Sequence, residues 1–151
     1  MIESFPLLHD PPEPSQLETW LHRFPVVGWL FAYQRQLQTE KALVDQAVSR
    51  GPVPDSAWAN YTYDESVRQT IEQIVIDYAY PKGSTFHPLD PVELMFVLRY
   101  GDLNEVEIVE EIEKRLRFKM DDSLIAKLVK ERTTFIDFIR IIENNQRTLD
   151  S

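Results

Sequence analysis

The sequence predicts an all-α protein, and three observations carry that prediction. Glycine is scarce, at four residues in 151, which disfavours a many-turned β-barrel or sandwich. Apolar residues recur at helical rather than alternating spacing through most of the chain. Prolines and helix-capping residues punctuate these stretches where helices would begin and end. The chain is 43% hydrophobic with 11% aromatics, enough for a buried core and too apolar for a disordered polymer. Its length suits one domain, or a small domain with an extension.

The first fourteen residues hold Pro6, Pro11, Pro12 and Pro14. They read as an extended arm, because proline fixes φ and removes a donor. Ser15 with Glu18 has the spacing of a capping box, so a short helix is predicted over 15–23, ended by Phe24-Pro25. A longer helix follows over 26–50. In it Leu30, Leu37 and Val44 recur every seven residues, with Tyr33 and Val48 near the same face. Gly51 suits its end, and Pro52 and Pro54 prevent its resumption. Residues 51–63 read as a linker whose Trp58, Tyr61 and Tyr63 are expected to pack across the junction. Trp20 and Trp29 lie on apolar helical stretches and are expected in a core. The segment 24–33 reads as a helical layer over the rest of the chain, with a partner-binding or dimer helix as the alternative.

From Asp64 onward the pattern is denser. Val67, Ile71, Ile74, Val75 and Tyr78 mark an amphipathic helix stopped by Pro81 and Gly83. Asp90-Pro91-Val92-Glu93 is a start signal, with a cap, then proline at the first helical position, then an acid. The short helix it opens carries Leu94, Met95, Val97 and Leu98, and Gly101 breaks it. The next helix is predicted over 102–116, a short one over 123–129, and a last one over 134–144 with Phe135, Phe138, Ile139 and Ile142 on one side. The predicted organisation is therefore an N-terminal arm and helical extension over 1–63 and a helical bundle over 64–151.

Four helices of these lengths, with a long loop after the first and a short third, resemble the acyl carrier proteins. The local sequence is similar too. Carriers typically read Leu-Gly-x-Asp-Ser-Leu-Asp and then x-Val-Glu. This chain reads Leu98-Arg99-Tyr100-Gly101-Asp102-Leu103-Asn104-Glu105-Val106-Glu107-Ile108. The stretch Glu110-Glu111-Ile112-Glu113-Lys114-Arg115-Leu116-Arg117-Phe118 resembles the acidic helix and aromatic that follow in that family. Thr133-Thr134-Phe135-Ile136-Asp137-Phe138-Ile139 resembles the opening of its last helix. The resemblance covers residues 66–145, with a few residues inserted around Leu128 to Arg132. It implies an acyl-carrier-like four-helix bundle.

The departure falls at the centre. The serine that carriers esterify with phosphopantetheine corresponds to Asp102, and the aspartate before it to Gly101. A carboxylate cannot form that phosphodiester, so the resemblance implies the fold and a docking surface without the carrier chemistry. It is closer to bacterial families that keep this fold with Gly-Asp at that place. Asp102 caps a helix as well as serine does. A literal Asp-Ser-Leu occurs at Asp122-Ser123-Leu124, but too few residues follow Ser123 for a carrier. A helix cap at Ser123, Asp121 or Asp122 is the simpler reading. Phosphopantetheine on Ser123 is kept as the alternative.

Charge and composition narrow the function further. The formal net charge is −9, which repels phosphate backbones, so nucleic acid is not an expected partner. A protein with a basic surface is. The docking residues expected from the resemblance are Asp102, Glu105, Glu107, Glu110 and Glu111. In carriers the equivalent helix meets basic patches on partner enzymes. The competing reading is a solvated helix face, with Glu110–Lys114 and Glu111–Arg115 as intrahelical pairs.

There are no cysteines, which removes disulfides, thiolate metal sites and cysteine nucleophiles and fits a reducing cytoplasm. His9, His22 and His87 share no metal-ligand spacing and read as surface or loop residues. Lys82-Gly83-Ser84-Thr85 lacks the spacing of a phosphate loop. No stretch approaches the roughly 20 apolar residues that span a bilayer, and the N-terminus reads without a signal core. No catalytic residue, metal or cofactor is predicted. The expected function is a non-catalytic, cytoplasmic protein-interaction module, and a structural or immunity-type binding protein acting through the N-terminal helices is the third reading.

Overall fold

The computed structural model describes residues 6–9, 15–16, 25–78, 85–97 and 105–150. Side chains are described for all of these except 25–33, 78, 96, 97, 105, 106 and 129. Among the described residues the protein is all-α, without a strand. Its elements are α1 (Pro25–Arg50), a 3₁₀ turn (Asp55–Trp58), α2 (Glu65–Tyr78), α3 (Leu94–Val97), α4 (Glu105–Leu116), α5 (Asp122–Lys130) and α6 (Phe135–Leu149). The predicted helix over 15–23, with Trp20, lies outside the described residues apart from its first two positions, and the Trp29 side chain lies outside them too. The chain divides into two compact units, Leu8–Ser49 and Met1–Leu7 with Arg50–Ser151.

α1 spans 26 residues, all but Arg50 in the Leu8–Ser49 unit, over the range the sequence predicts, but Leu37 and Val48 of the predicted apolar face are exposed. His9, in the described stretch 6–9, is tied to it. The His9 N–H donates to Gln46 Oε1 at 2.8 Å, and Gln46 Nε2 donates back to the His9 carbonyl at 2.9 Å. One side-chain amide thus satisfies both backbone groups of His9.

Gly51 follows α1 with φ +73°, the left-handed conformation that glycine adopts most easily after a helix end. The predicted linker beyond it is well packed. Val53 and Trp58 are buried. The Trp58 ring meets Tyr63 edge-on with centroids 5.2 Å apart, and its Nε1 donates to the Phe86 carbonyl at 3.2 Å. Buried indole N–H groups need such a partner.

α2 begins where Asp64 caps it. The Asp64 carboxylate accepts from the Ser66 N–H at 2.8 Å and the Ser66 hydroxyl at 2.6 Å. These hydrogen bonds hold its carboxyl below the usual carboxylate range. Val67, Ile71, Ile74 and Val75 are buried on one face, and α2 packs against α4 and α6. On α4 the complementary stripe is Ile108, Ile112 and Leu116, at the 3.6-residue period. On α6 it is Phe135, Ile136, Phe138, Ile139 and Ile142. Burying such stripes against one another is what makes short helices stable in water.

Two helix ends after α4 take an unusual form. Arg117 and Arg132 have φ of 52° and 51°, so each arginine occupies a left-handed position that glycine or asparagine usually fills. The chain then turns inward, burying Phe118 and Met120. Phe118 meets Phe138 edge-on at 6.1 Å. α6 is capped by Thr134, which accepts from the Asp137 N–H while its hydroxyl donates to the Asp137 carboxylate at 2.9 Å.

Three sequence expectations are corrected. Asp90 does not cap α3. Its carboxylate is turned inward, and the chain makes two tight turns, Leu94 N–H to Pro91 and Met95 N–H to Val92, before α3 starts at Leu94. His87 lies in a loop as predicted but is buried there, not a surface residue. α6 runs to Leu149 rather than 144, because helix formers continue after its apolar stripe ends, and Gln146 donates to the Leu116 carbonyl at 2.7 Å.

Candidate functional site

α4 is the element on which the predicted docking residues converge. Its buried stripe fixes its rotation, so the opposite face is presented outward. Asp102 lies outside the described residues. Glu105 is the first residue of α4, and its side chain lies outside them too. Glu107 and Glu110 are exposed, one turn apart. Neither makes an ion pair among the described residues.

The remaining acids of the helix are committed within the molecule. Glu111 is half-buried and accepts from Arg115 Nε at 2.6 Å. Lys114 turns to Glu111 at 3.7 Å, so the expected Glu110–Lys114 pair is not made, whereas Glu111–Arg115 is. Arg115 also reaches Asp77 of α2 at 3.2 Å, which ties α4 to its neighbour; the Glu111 hydrogen bond, and after it the Asp77 one, hold the guanidinium above its ordinary pKa. Glu113 accepts from the Met120 N–H at 2.8 Å and pairs with Lys119 at 3.1 Å. The backbone hydrogen bond, followed by Lys119, holds its carboxyl below the usual range. Among the described residues the acidic cluster therefore resolves into a structural pair, Glu111 and Glu113, and a pair without an ion-pair partner there, Glu107 and Glu110.

Ser123 is exposed in the first turn of α5. The cap of that helix is Asp121, whose Oδ1 accepts from the Leu124 N–H at 2.8 Å. The Ser123 hydroxyl is thus not the group that closes the helix start.

A buried polar node lies elsewhere, and sequence reasoning missed it. Arg50 donates to both carboxylate oxygens of Asp90, with Nη1 to Oδ1 at 2.7 Å. Both side chains are almost completely buried, at 4% and 0% exposure. Asp90 also accepts from the His87 N–H at 2.9 Å, and Arg50 donates to the Thr85 carbonyl at 3.4 Å. The Asp90 carbonyl takes the Phe135 N–H at 3.0 Å, and the Thr133 carbonyl takes the Val92 N–H at 2.8 Å. The loop over 85–92 is thereby pinned to the start of α6. Burial lowers the His87 pKa, and nearby Arg50 adds to this while Asp90 opposes it. The node's partners are some 40 residues apart, and no local pattern signals the pairing.

A second buried cation, Arg68, has partners nearer the surface. Arg68 lies over the Trp58 ring at 5.0 Å and donates to Asp55 at 2.6 Å, Glu72 at 3.2 Å and the Tyr63 hydroxyl at 3.2 Å. Burial works against its charge, but these hydrogen bonds outweigh burial and raise its pKa. Both nodes fix the fold, and neither presents a nucleophile beside a base. Among the described residues no three His, Asp or Glu side chains are placed to hold a metal, and no helix is long and apolar enough to cross a membrane. The chain matches no family model, no curated protein and no solved structure.

Proposed function

We propose that this protein is a non-catalytic interaction module, acyl-carrier-like in its four-helix bundle, that docks a protein partner of basic surface through the outer face of α4. The observation that carries this reading is the division of labour on α4. Glu111 and Glu113 are consumed by Arg115, Lys119 and the Met120 N–H, while Glu107 and Glu110 stand exposed on a helix whose inner face is locked in the core. Exposed charges of one sign steer an oppositely charged partner and set its orientation. The aspartate at position 102, where carriers have serine, supports a module that docks without carrying an acyl group. The cytoplasm is the compartment that suits a cysteine-free chain of this kind.

The test is affinity capture from the native host with wild-type protein and with E107K/E110K as bait. Partners held by wild type and lost by the variant support the reading, and an unchanged set of partners contradicts it. The exposure of Ser123 favours one competing reading, a carrier modified at that hydroxyl. Incubation with a phosphopantetheinyl transferase and coenzyme A, followed by intact-mass measurement, separates the two. No mass gain is expected, and a gain abolished by Ser123→Ala would establish the carrier.

A further inference from the structure

The outer face of α4 carries more than acids. From Glu107, the exposed positions three and four residues apart are Glu110, Lys114 and, just past the helix end, Arg117. Within the helix this spacing lines up Glu107, Glu110 and Lys114 in one stripe, opposite the buried Ile108, Ile112 and Leu116, and Arg117 follows directly at the stripe's C-terminal end. The stripe reads acid, acid, base, base. The Lys114 side chain is 78% exposed and meets Glu111 at a loose 3.7 Å. Arg117 sits in the left-handed region at φ 52°, where glycine is the easier residue. An arginine there keeps a cation at the end of the stripe against the backbone's preference.

Such a stripe is complementary to itself. Two copies of α4 laid antiparallel, with a two-fold axis at the level of position 112, set Glu107 of one copy opposite Arg117 of the other and Glu110 opposite Lys114. The symmetry then repeats both pairs. The antiparallel helix dipoles favour the same arrangement, whereas a parallel one sets acid against acid. We propose that the occupant of this face is a second copy of this chain, docked antiparallel along α4 through these four charges. The proposal rests on the reading of α4 as a docking face and identifies the basic surface with the chain's own Lys114–Arg117 end. Exposed ion pairs are individually weak and screened by salt, and the net charge of −9 opposes unspecific pairing. Association is therefore weak, specific in orientation and sensitive to ionic strength.

A charge swap tests this with the full chain. In sedimentation velocity at low salt, wild type should shift from monomer towards dimer as concentration rises, and return to monomer as salt is added. E107K/E110K and K114E/R117E should each remain monomeric with wild-type helical circular dichroism. Mixed in equal amounts they should form a heterodimer, because one stripe is then wholly basic and the other wholly acidic. R117G should associate less than wild type while its unfolding midpoint does not fall. Wild type that stays monomeric at every concentration at low salt, or swapped variants that do not associate on mixing, would overturn the proposal. If monomeric wild type nevertheless captures a different basic protein that E107K/E110K loses, self-docking fails while the docking face stands. If E107K/E110K loses no partner of any kind, the docking face itself fails.

Discussion

Asp90 uses its hydrogen-bonding capacity entirely inside the protein. Its carboxylate takes the Arg50 guanidinium and the His87 N–H, and its carbonyl takes the Phe135 N–H. Removing one member of a buried ion pair strands the other, which typically costs about 3–5 kcal/mol. Asp90→Ala is therefore expected to lose roughly that amount of unfolding free energy in urea titrations, with Arg50 left buried beside an apolar side chain. His87, in the same loop, gives a pH signature. Burial disfavours its charged form in the fold, so its folded pKa lies below the unfolded value of 6.5. The unfolded chain then binds more protons between those two values, and stability falls as pH drops below 6.5 towards the folded pKa. His87→Gln should flatten that part of the stability–pH curve relative to wild type. Parallel curves for the two proteins would contradict the assignment.

Individual elements differ in how far the sequence reveals them. α2 and the start of α6 are legible because residue type and apolar period agree: Asp64 and Thr134 are capping types and cap them. Thr134→Ala is expected to cost about 1 kcal/mol, the usual worth of an N-cap, read as a lower urea midpoint. α3 is less legible. Asp90-Pro91 has the form of a cap and a first helical residue, but the aspartate is taken by Arg50, a partner 40 residues away that local reasoning cannot see. The end of α6 escapes because the apolar stripe stops at Ile142 while the backbone continues through Gln146. Arg117 marks a different limit: nothing in its type announces a positive φ. Arg117→Gly should raise stability by about 1 kcal/mol, since glycine meets no Cβ penalty there. A loss of similar size would mean that the arginine side chain stabilises the fold.

Across the whole molecule, the all-α class is legible from glycine scarcity and helical spacing, and the candidate face from the run of glutamates in α4. The sequence does not reveal which glutamates remain uncommitted. That depends on Arg115 reaching Asp77 on another helix and on Lys119 folding back to Glu113 after the turn at Arg117. Reversing Glu111 would therefore disturb packing as well as charge, while Glu107 and Glu110 can be reversed with the fold kept. The most direct test of the α4 docking face is capture from the native host by wild-type and E107K/E110K baits of equal helicity, with the bound protein quantified, including further copies of the chain itself. Loss of the bound protein from the variant is the predicted result. Equal recovery by both baits would contradict it.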